Sequence, residues 1–279
     1  GVTFFFEDGM IRKKLRKALK TLQDLERLGN RVIGETAQPR DLVAIRETLK
    51  QLPDIQVLLD SHLEEEPDLQ ALMGDFSLCE EALDLLCTAI QEDPPATVGT
   101  IGIIQPGYAG ELDEILDKTK EARDWIANLE VVERKATGID TLKVSHNKVY
   151  GYYLEVTKSK TDQVPDHYIR KQTLVNAERY VTPELKEYET KVFNAEERIR
   201  DAERRIFQEV CVQLNRHSTE ILGTARILAQ LDVLSSLAET AANYGYHCPE
   251  VVEDDVVEIY QGRHPVVEQT LQGSRFVPN

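Results

Sequence analysis

An apolar repeat with steps of three and four residues dominates the second half of this chain. This spacing places its members on one face of an α-helix. Thr182 suits an N-cap and Pro183 the first helical position, so the helix is predicted to begin there. The repeat comprises Leu185, Tyr188, Val192, Ala195, Ile199, Ala202, Ile206, Leu231, Leu234, Leu237 and Ala241.

Only Gly223 interrupts this pattern before Gly245 and Pro249, which are typical helix breakers. We therefore predict a helix of about 60 residues and about 90 Å, bent at Gly223. Residues 107–136 carry near-heptad apolar spacing and are predicted to form its antiparallel partner. The segment between the two helices would then lie at the far tip of a helical arm.

That tip, residues 137–182, has the features of β-strands. LKVSHNKVYGYYLEVTK alternates apolar and polar residues, with Asn147 and Lys148 placed to form a turn. QTLV and ERYV flank Asn176 and Ala177, which indicates a second hairpin. The tyrosines of this segment could stack on bases, but their alternation favours packing within a small sheet.

Charge divides the chain unequally. The formal net charge is -16, yet residues 142–182 hold seven basic and four acidic residues, a local net charge of +3. A basic tip on an acidic body directs a polyanion to the tip. Three interpretations remain open from the residues alone: contact with nucleic acid, a solvated β-tip, or a surface that docks a protein.

If nucleic acid is the partner, phosphates are the expected targets. Arg170 and Lys171 would supply charge, while Asn147, Gln172 and Asn176 would donate neutral hydrogen bonds. None of these contacts reads base sequence.

Other classes of function are disfavoured. No apolar run approaches the roughly 18 residues of a membrane span, so we expect no membrane partner and a cytoplasmic location. The four cysteines form no CxxC motif and are expected to be reduced packing residues. We find no nucleophile, base or metal constellation at a readable spacing.

Several segments resemble the MutS family of DNA mismatch repair proteins. NKVYGYYLEVTK, HYIRKQTLVNAERYVTPELKEYE, GRHPVVE and FVPN are similar to its core and clamp region, and DLERLGNRV with PRDLVAIRETL to its lever. The resemblance covers essentially the whole chain, in the expected order.

The resemblance implies a mainly α fold in which a small β-rich clamp is inserted at the tip of two long antiparallel lever helices. It implies a lever in residues 1–125, the clamp in 126–183, the rest of the lever in 184–246 and the start of an ATPase domain in 247–279. Family clamps hold the backbone of double-stranded DNA. The implied contacts are Asn147, Lys148, Arg170, Lys171, Gln172 and Asn176. Other members can carry a basic residue where this chain has Val175, so the turn of this chain would bind DNA more weakly.

The family's ATPase activity is not expected in this fragment. The motif GxxxxGK[ST], whose backbone amides hold phosphates, does not occur here. ATP and Mg would serve the parent protein only, with Phe276 near the adenine and GRHPVVE and FVPN as first strands of the ATPase domain. The parent would form a homodimer and work with the downstream repair protein MutL.

Two further expectations complete this interpretation. The F-x-E pattern that contains Phe5 and Glu7 resembles the family's mismatch reader but precedes the lever helix, so we expect a coincidence and no mismatch discrimination. The alternative function is a coiled-coil scaffold whose tip docks a protein.

Overall fold

A computed structural model describes residues 1–147, 151–271 and 277–278 of the chain. Its helical body is built from ten α-helices and is followed by one short C-terminal helix. The helices before the sheet are α1 Val2–Glu7, α2 Gly9–Leu19, α3 Leu25–Ile33, α4 Pro39–Leu49, α5 Leu52–Asp60, α6 Pro67–Met73, α7 Glu80–Ala89 and α8 Gly110–Thr137; those after it are α9 Pro183–Asn215, α10 Ser218–Tyr244 and α11 Pro265–Thr270.

A four-stranded antiparallel sheet lies between α8 and α9 in the chain. Its strands are β1 Lys143–Asn147, β2 Gly151–Thr157, β3 Ile169–Thr173 and β4 Ala177–Val181, in the spatial order β1-β2-β4-β3. A 3₁₀ turn, Lys158–Gln163, follows β2. The antiparallel pairing of both predicted hairpins is confirmed, and the fold is mainly α with a small β subdomain, as expected. The predicted turn at Asn147 and Lys148 is not confirmed, because Asn147 belongs to β1 and Lys148 lies outside the described residues.

Helices α8 and α9 run antiparallel and form the predicted arm. Arg205 near the end of α9 pairs with Glu111 at the start of α8, with 2.5 Å between nitrogen and oxygen. Nearer the sheet, Arg123 pairs with Glu196 at 2.6 Å. Early residues of one helix thus meet late residues of the other, which confirms the predicted partner.

The predicted start of α9 is confirmed, but a single helix of about 60 residues is wrong. Thr182 Oγ1 accepts a hydrogen bond from the Leu185 N–H at 3.0 Å, as an N-cap does. The helix ends at Asn215, and Gly223 lies inside the following helix, α10. The break lets α10 pack against the N-terminal helices, where Arg12 of α2 bonds to Glu239 of α10 at 2.7 Å. Tertiary packing therefore decides the position of the break.

Helix α10 is long and apolar enough to cross a membrane, with a mean hydropathy of 1.3 over its best window. This differs from the expectation drawn from apolar runs. Ile221, Leu228 and Leu231 are nevertheless buried in the same core as α1 to α7. We therefore interpret α10 as the central helix of the body.

The chain after α10 differs from the expected strands. The short helix α11, Pro265–Thr270, begins within GRHPVVE, and the His264 side chain accepts a hydrogen bond from the Val267 N–H at 3.2 Å. A proline at the first helical position favours this geometry over a strand. The prediction of a first strand in GRHPVVE is therefore wrong. Phe276 and Asn279, the two ends of FVPN, lie outside the described residues.

Candidate nucleic-acid interface

One face of the sheet packs on the arm and the other faces away. Leu154, Val156 and Tyr180 are buried in a cluster with residues of α8 and α9, separate from the core of the body. Alternation along the strands places Glu155 and Arg179 on the opposite face. The sheet therefore has a core of its own, which supports a distinct subdomain at the end of the arm.

The last residue pairs before the two hairpin connections lie at opposite ends of this sheet. Asn147 pairs with Gly151 at one end of β2, while Thr157 pairs with Ala177 at the other. Six residues of strand separate these pairs, which corresponds to about 20 Å. We call the end at Gly151 the proximal end, because it lies against α9, and the end at Thr157 the distal end.

The proximal end is tied to the arm. The Tyr152 N–H donates a hydrogen bond to Glu189 Oε1 of α9 at 3.0 Å. Asn147, a predicted contact residue, lies at this end, and its predicted neighbour Lys148 lies outside the described residues. The structure thus separates Asn147 from the predicted residues of β3 and the second turn.

The distal end brings together residues that the sequence placed far apart. Its turn contains Asn176, whose carbonyl accepts a hydrogen bond from the Lys158 N–H at 3.1 Å. Lys158 and Lys160 of the 3₁₀ turn therefore lie beside the second hairpin, together with the acidic Asp162. The sequence-based list of contacts omitted both lysines. Their positive charge within an acidic chain was the signal that could have identified them.

Strand β3, an edge strand, carries three predicted contact residues with different surroundings. Arg170 lies 3.4 Å from Glu178, and Gln172 accepts a hydrogen bond from Arg179 at 2.9 Å. Lys171 is exposed at a register shift between them and forms no ion pair within the described part of the chain. Of the two cations, Lys171 is therefore the one without an ion pair in the described part of the chain.

The Arg179 side chain makes its contacts inside the sheet. It donates to Glu155 at 2.9 Å and lies over the ring of Tyr153, 4.3 Å from its centroid. A guanidinium neutralised in this way contributes little to an external field. The net positive surface of the subdomain therefore rests on its lysines.

Most tyrosines of the sheet are packing residues, as predicted. Tyr153, Tyr168 and Tyr180 are buried, and the rings of the last two lie 6.0 Å apart. Burial and a hydrogen bond to Glu178 raise the pKa of Tyr180 to about 12. Burial and the neighbouring Glu133 also raise the pKa of Tyr168. These phenols stay neutral and hold the sheet rather than offering stacking platforms.

The structure shows the exposure of two further side chains that the sequence analysis named. Phe5 is fully buried in the core of the body, so its ring cannot stack on a base in this fold. Val175, in the distal turn, is 85% exposed, and no apolar partner covers it among the described residues. A basic residue there would point into solvent, consistent with weaker binding by a valine.

Chemically, the distal end offers separated ammonium groups and polar backbone on a small rigid sheet. Such groups can neutralise phosphates, and no arrangement at this end suits readout of base edges. The described residues contain no group of three or more His, Cys, Asp or Glu side chains that could hold a metal ion.

Comparison with known proteins places these features in a family context. Residues 107–198, which include α8, the sheet and the first part of α9, match the model described as MutS family domain IV. The chain is 44% identical over 274 residues to the DNA mismatch repair protein MutS of Salinibacter ruber, which covers 98% of this chain and 30% of that protein. Its identity to the protein of the same name from Acetivibrio thermocellus is 45% over 279 residues, with coverage of 100% and 32%.

The similarity extends to archaea. The DNA mismatch repair protein MutS of Methanosarcina barkeri is 43% identical over 272 residues, covering 97% of this chain and 30% of that protein. The chain thus spans about a third of the length of the curated relatives that it matches.

Proposed function

Since this chain belongs to the MutS family, we propose that it is the DNA clamp and lever region of a mismatch repair protein. The sheet would contact the backbone of duplex DNA without sequence preference. Helices α8 and α9 would connect that contact to an ATPase domain elsewhere in the parent protein. The observation that carries this proposal is that Lys158 and Lys160 lie beside Asn176 at the distal end of a sheet carried by two long helices, while Lys171 is exposed on the edge strand β3.

Electrostatics favours this end as the contact surface. The chain as a whole is strongly acidic, so a duplex is repelled from most of its surface. Each lysine that neutralises a phosphate releases condensed counterions, and this release drives non-specific binding. Of the residues predicted from sequence, Asn176 lies at this end, and Arg170, Lys171 and Gln172 follow the edge strand that leads to it. Asn147 would contribute only if DNA also reached the proximal end.

The remaining properties follow from the family and concern the parent protein. We propose that the parent hydrolyses ATP with Mg, forms a homodimer and acts with MutL. This region itself would be non-catalytic, and Phe276 would approach the nucleotide only alongside the ATPase domain. The parent would be cytoplasmic and associated with the nucleoid when bound to DNA.

The proposal is tested by fluorescence anisotropy of labelled homoduplex and G·T mismatch DNA at a series of salt concentrations. The probe protein is the 279-residue chain. The test variant combines Arg170→Ala with Lys171→Ala. Its matched control combines Lys13→Ala with Lys14→Ala, which removes the same charge from exposed positions of α2 in the body.

We expect weak binding that is equal for both duplexes, falls steeply with salt, and is lost in the tip variant but kept in the control. A dissociation constant at or above about 10⁻⁴ M is expected for so few phosphate contacts. Absence of binding at about 10 mM salt, where screening is weakest, would contradict the proposal. Equal loss in the tip variant and the control would contradict a localised clamp and favour the protein-docking scaffold.

A further inference from the structure

Two backbone amides of the sheet are satisfied by helix carboxylates instead of strands. Strand β4 pairs with β2 only from Leu154 to Thr157, so the Tyr152 N–H lies beyond the end of that ladder. Glu189 Oε1 of α9 accepts it at 3.0 Å. A half-buried N–H without an acceptor would destabilise the fold, so the carboxylate takes the place of a strand.

The second amide lies on the outer edge of the sheet. The Val144 N–H of β1 donates to Glu130 Oε2 of α8 at 3.0 Å. Because β1 is an edge strand, no neighbouring strand could accept this hydrogen. Each long helix therefore supplies one carboxylate to a backbone amide of the sheet, and the sheet is tied to both helices of the arm.

Both carboxylates are themselves held in place. Glu189 Oε2 forms an ion pair with Lys186 Nζ at 2.6 Å. Glu130 Oε1 pairs with Arg134 at 2.8 Å, and the Arg134 Nε–H donates to the Leu142 carbonyl at 2.7 Å. Side chains oriented by a second contact lose less freedom when they hold the sheet.

Gly151 makes the contact at Glu189 possible. Its φ of 74° lies in the left-handed region that favours glycine. A Cβ at this position would collide with the Glu189 carboxylate, which sits directly over the glycine. Any other residue would push the carboxylate away from the Tyr152 N–H.

We propose that Glu189 is a positioning residue that locks the proximal end of the sheet to α9. The sheet then moves with α9 as one rigid body. A shift of the arm therefore displaces the distal lysines by the same movement. The lock itself is a property of the fold. Its consequence for DNA binding rests on the function proposed above.

Amide hydrogen exchange, followed by NMR, tests the lock directly. In Glu189→Ala we expect the Tyr152 amide to exchange at least about tenfold faster, relative to amides in the β2–β4 ladder, because its acceptor is gone. Gly151→Ala should have the same effect by displacing the carboxylate. Glu187→Ala, which breaks the exposed ion pair with Lys191 on the same helix, is the matched control and should leave Tyr152 unchanged.

The conservative variant separates positioning from general loosening. The side-chain amide oxygen of Glu189→Gln can still accept the Tyr152 N–H, so the Tyr152 amide should exchange at about the wild-type rate in that variant. Unchanged Tyr152 exchange in both Glu189→Ala and Gly151→Ala would overturn the lock, whatever the stability of the variants.

The lock predicts a change in DNA affinity opposite to the one that charge alone would cause. Removing a negative charge from the basic subdomain should strengthen DNA binding by charge alone. We expect Glu189→Ala to bind several-fold more weakly, because the distal end is no longer held, and Glu189→Gln to bind at least as well as the wild type. Tighter binding by Glu189→Ala would overturn the consequence. Failure of the wild type to bind would overturn the proposed function, while the exchange experiment would still decide on the lock.

Discussion

Trp125 of α8 and Tyr188 of α9 stack face to face, with ring centroids 3.9 Å apart and planes 7° from parallel. The pair lies where the two helices meet the core of the sheet. Lys191 lies 4.5 Å from the centroid of the Tyr188 ring on the solvent side. This stack joins the two helices of the arm at the base of the subdomain.

Loss of the stack should destabilise the arm. We expect Trp125→Ala to lower the free energy of unfolding by about 2 kcal/mol, less than for a fully buried tryptophan because the side chain is half-buried. Urea unfolding followed by circular dichroism measures this change. Val131→Ala on the same helix removes a side chain that is 68% exposed and should change the value by less than about 0.5 kcal/mol. Equal effects of the two changes would contradict a structural role for the stack.

Arg46 should be the most sensitive charged residue of the body. It is buried and donates to the carbonyls of Ile90 at 2.7 Å and Gln91 at 3.2 Å, where α7 ends. Arg46→Met would leave these carbonyls unpaired and should cost about 3 kcal/mol in urea unfolding. Arg40→Met, at an exposed position of the same helix, is the control and should be nearly neutral. A neutral Arg46→Met would show that the carbonyls find water instead.

Glu203 should give stability an unusual pH dependence. Its side chain is buried and accepts the N–H groups of Gly102 and Ile103 at 2.9 and 3.1 Å. Burial nevertheless raises the pKa of this carboxyl, with the backbone hydrogen bonds opposing the rise. With a folded pKa above the unfolded one, the stabilising contribution is complete below about pH 4.3 and is lost as pH rises through the folded pKa.

The stability of the wild type relative to Glu203→Gln should therefore fall as pH rises from about 4 to 7. Urea unfolding of both proteins across this range measures the difference. A difference that grows with pH would mean that the hydrogen bonds outweigh burial.

The cysteines should divide into two reactivity classes. Burial raises the pKa of Cys79 and of Cys211 to about 11, whereas Cys87 and Cys248 are exposed. All four are free thiols, as expected, but the expectation that all are packing residues is wrong for the exposed pair. At pH 8 a disulfide reagent should modify Cys87 and Cys248 first, as peptide mass spectrometry would show. Early modification of Cys79 would contradict its burial.

Local signals in the sequence were sufficient for several elements. Thr182 and Pro183 announce the start of α9 because capping depends on neighbouring residues alone. The hairpin turns and the antiparallel arm also follow from short-range patterns. Helix α10 continues through Gly223, the predicted position of the bend, because a glycine destabilises a helix by only about 1 kcal/mol and the packing of α10 against the body offsets this loss.

The arrangement of the candidate site depended on contacts distant in sequence. Pairing of β2 with β4 places the two hairpin turns at opposite ends, and no turn signal contains that information. The same pairing brings Lys158 beside Asn176. Periodicity and the local charge count could predict a basic tip but not which of its cations share one surface.

The most direct test of the account is the salt dependence of DNA binding, measured by anisotropy as the slope of log K against log salt. The distal variant combines Lys158→Ala, Lys160→Ala and Lys171→Ala, and the control combines Lys13→Ala, Lys14→Ala and Lys17→Ala on α2. If each of the three lysines neutralises one phosphate, the distal variant should lose about 2.7 from the magnitude of the slope, while the control keeps the wild-type value. A distal variant with the same slope as the control would contradict a phosphate contact at this end of the sheet.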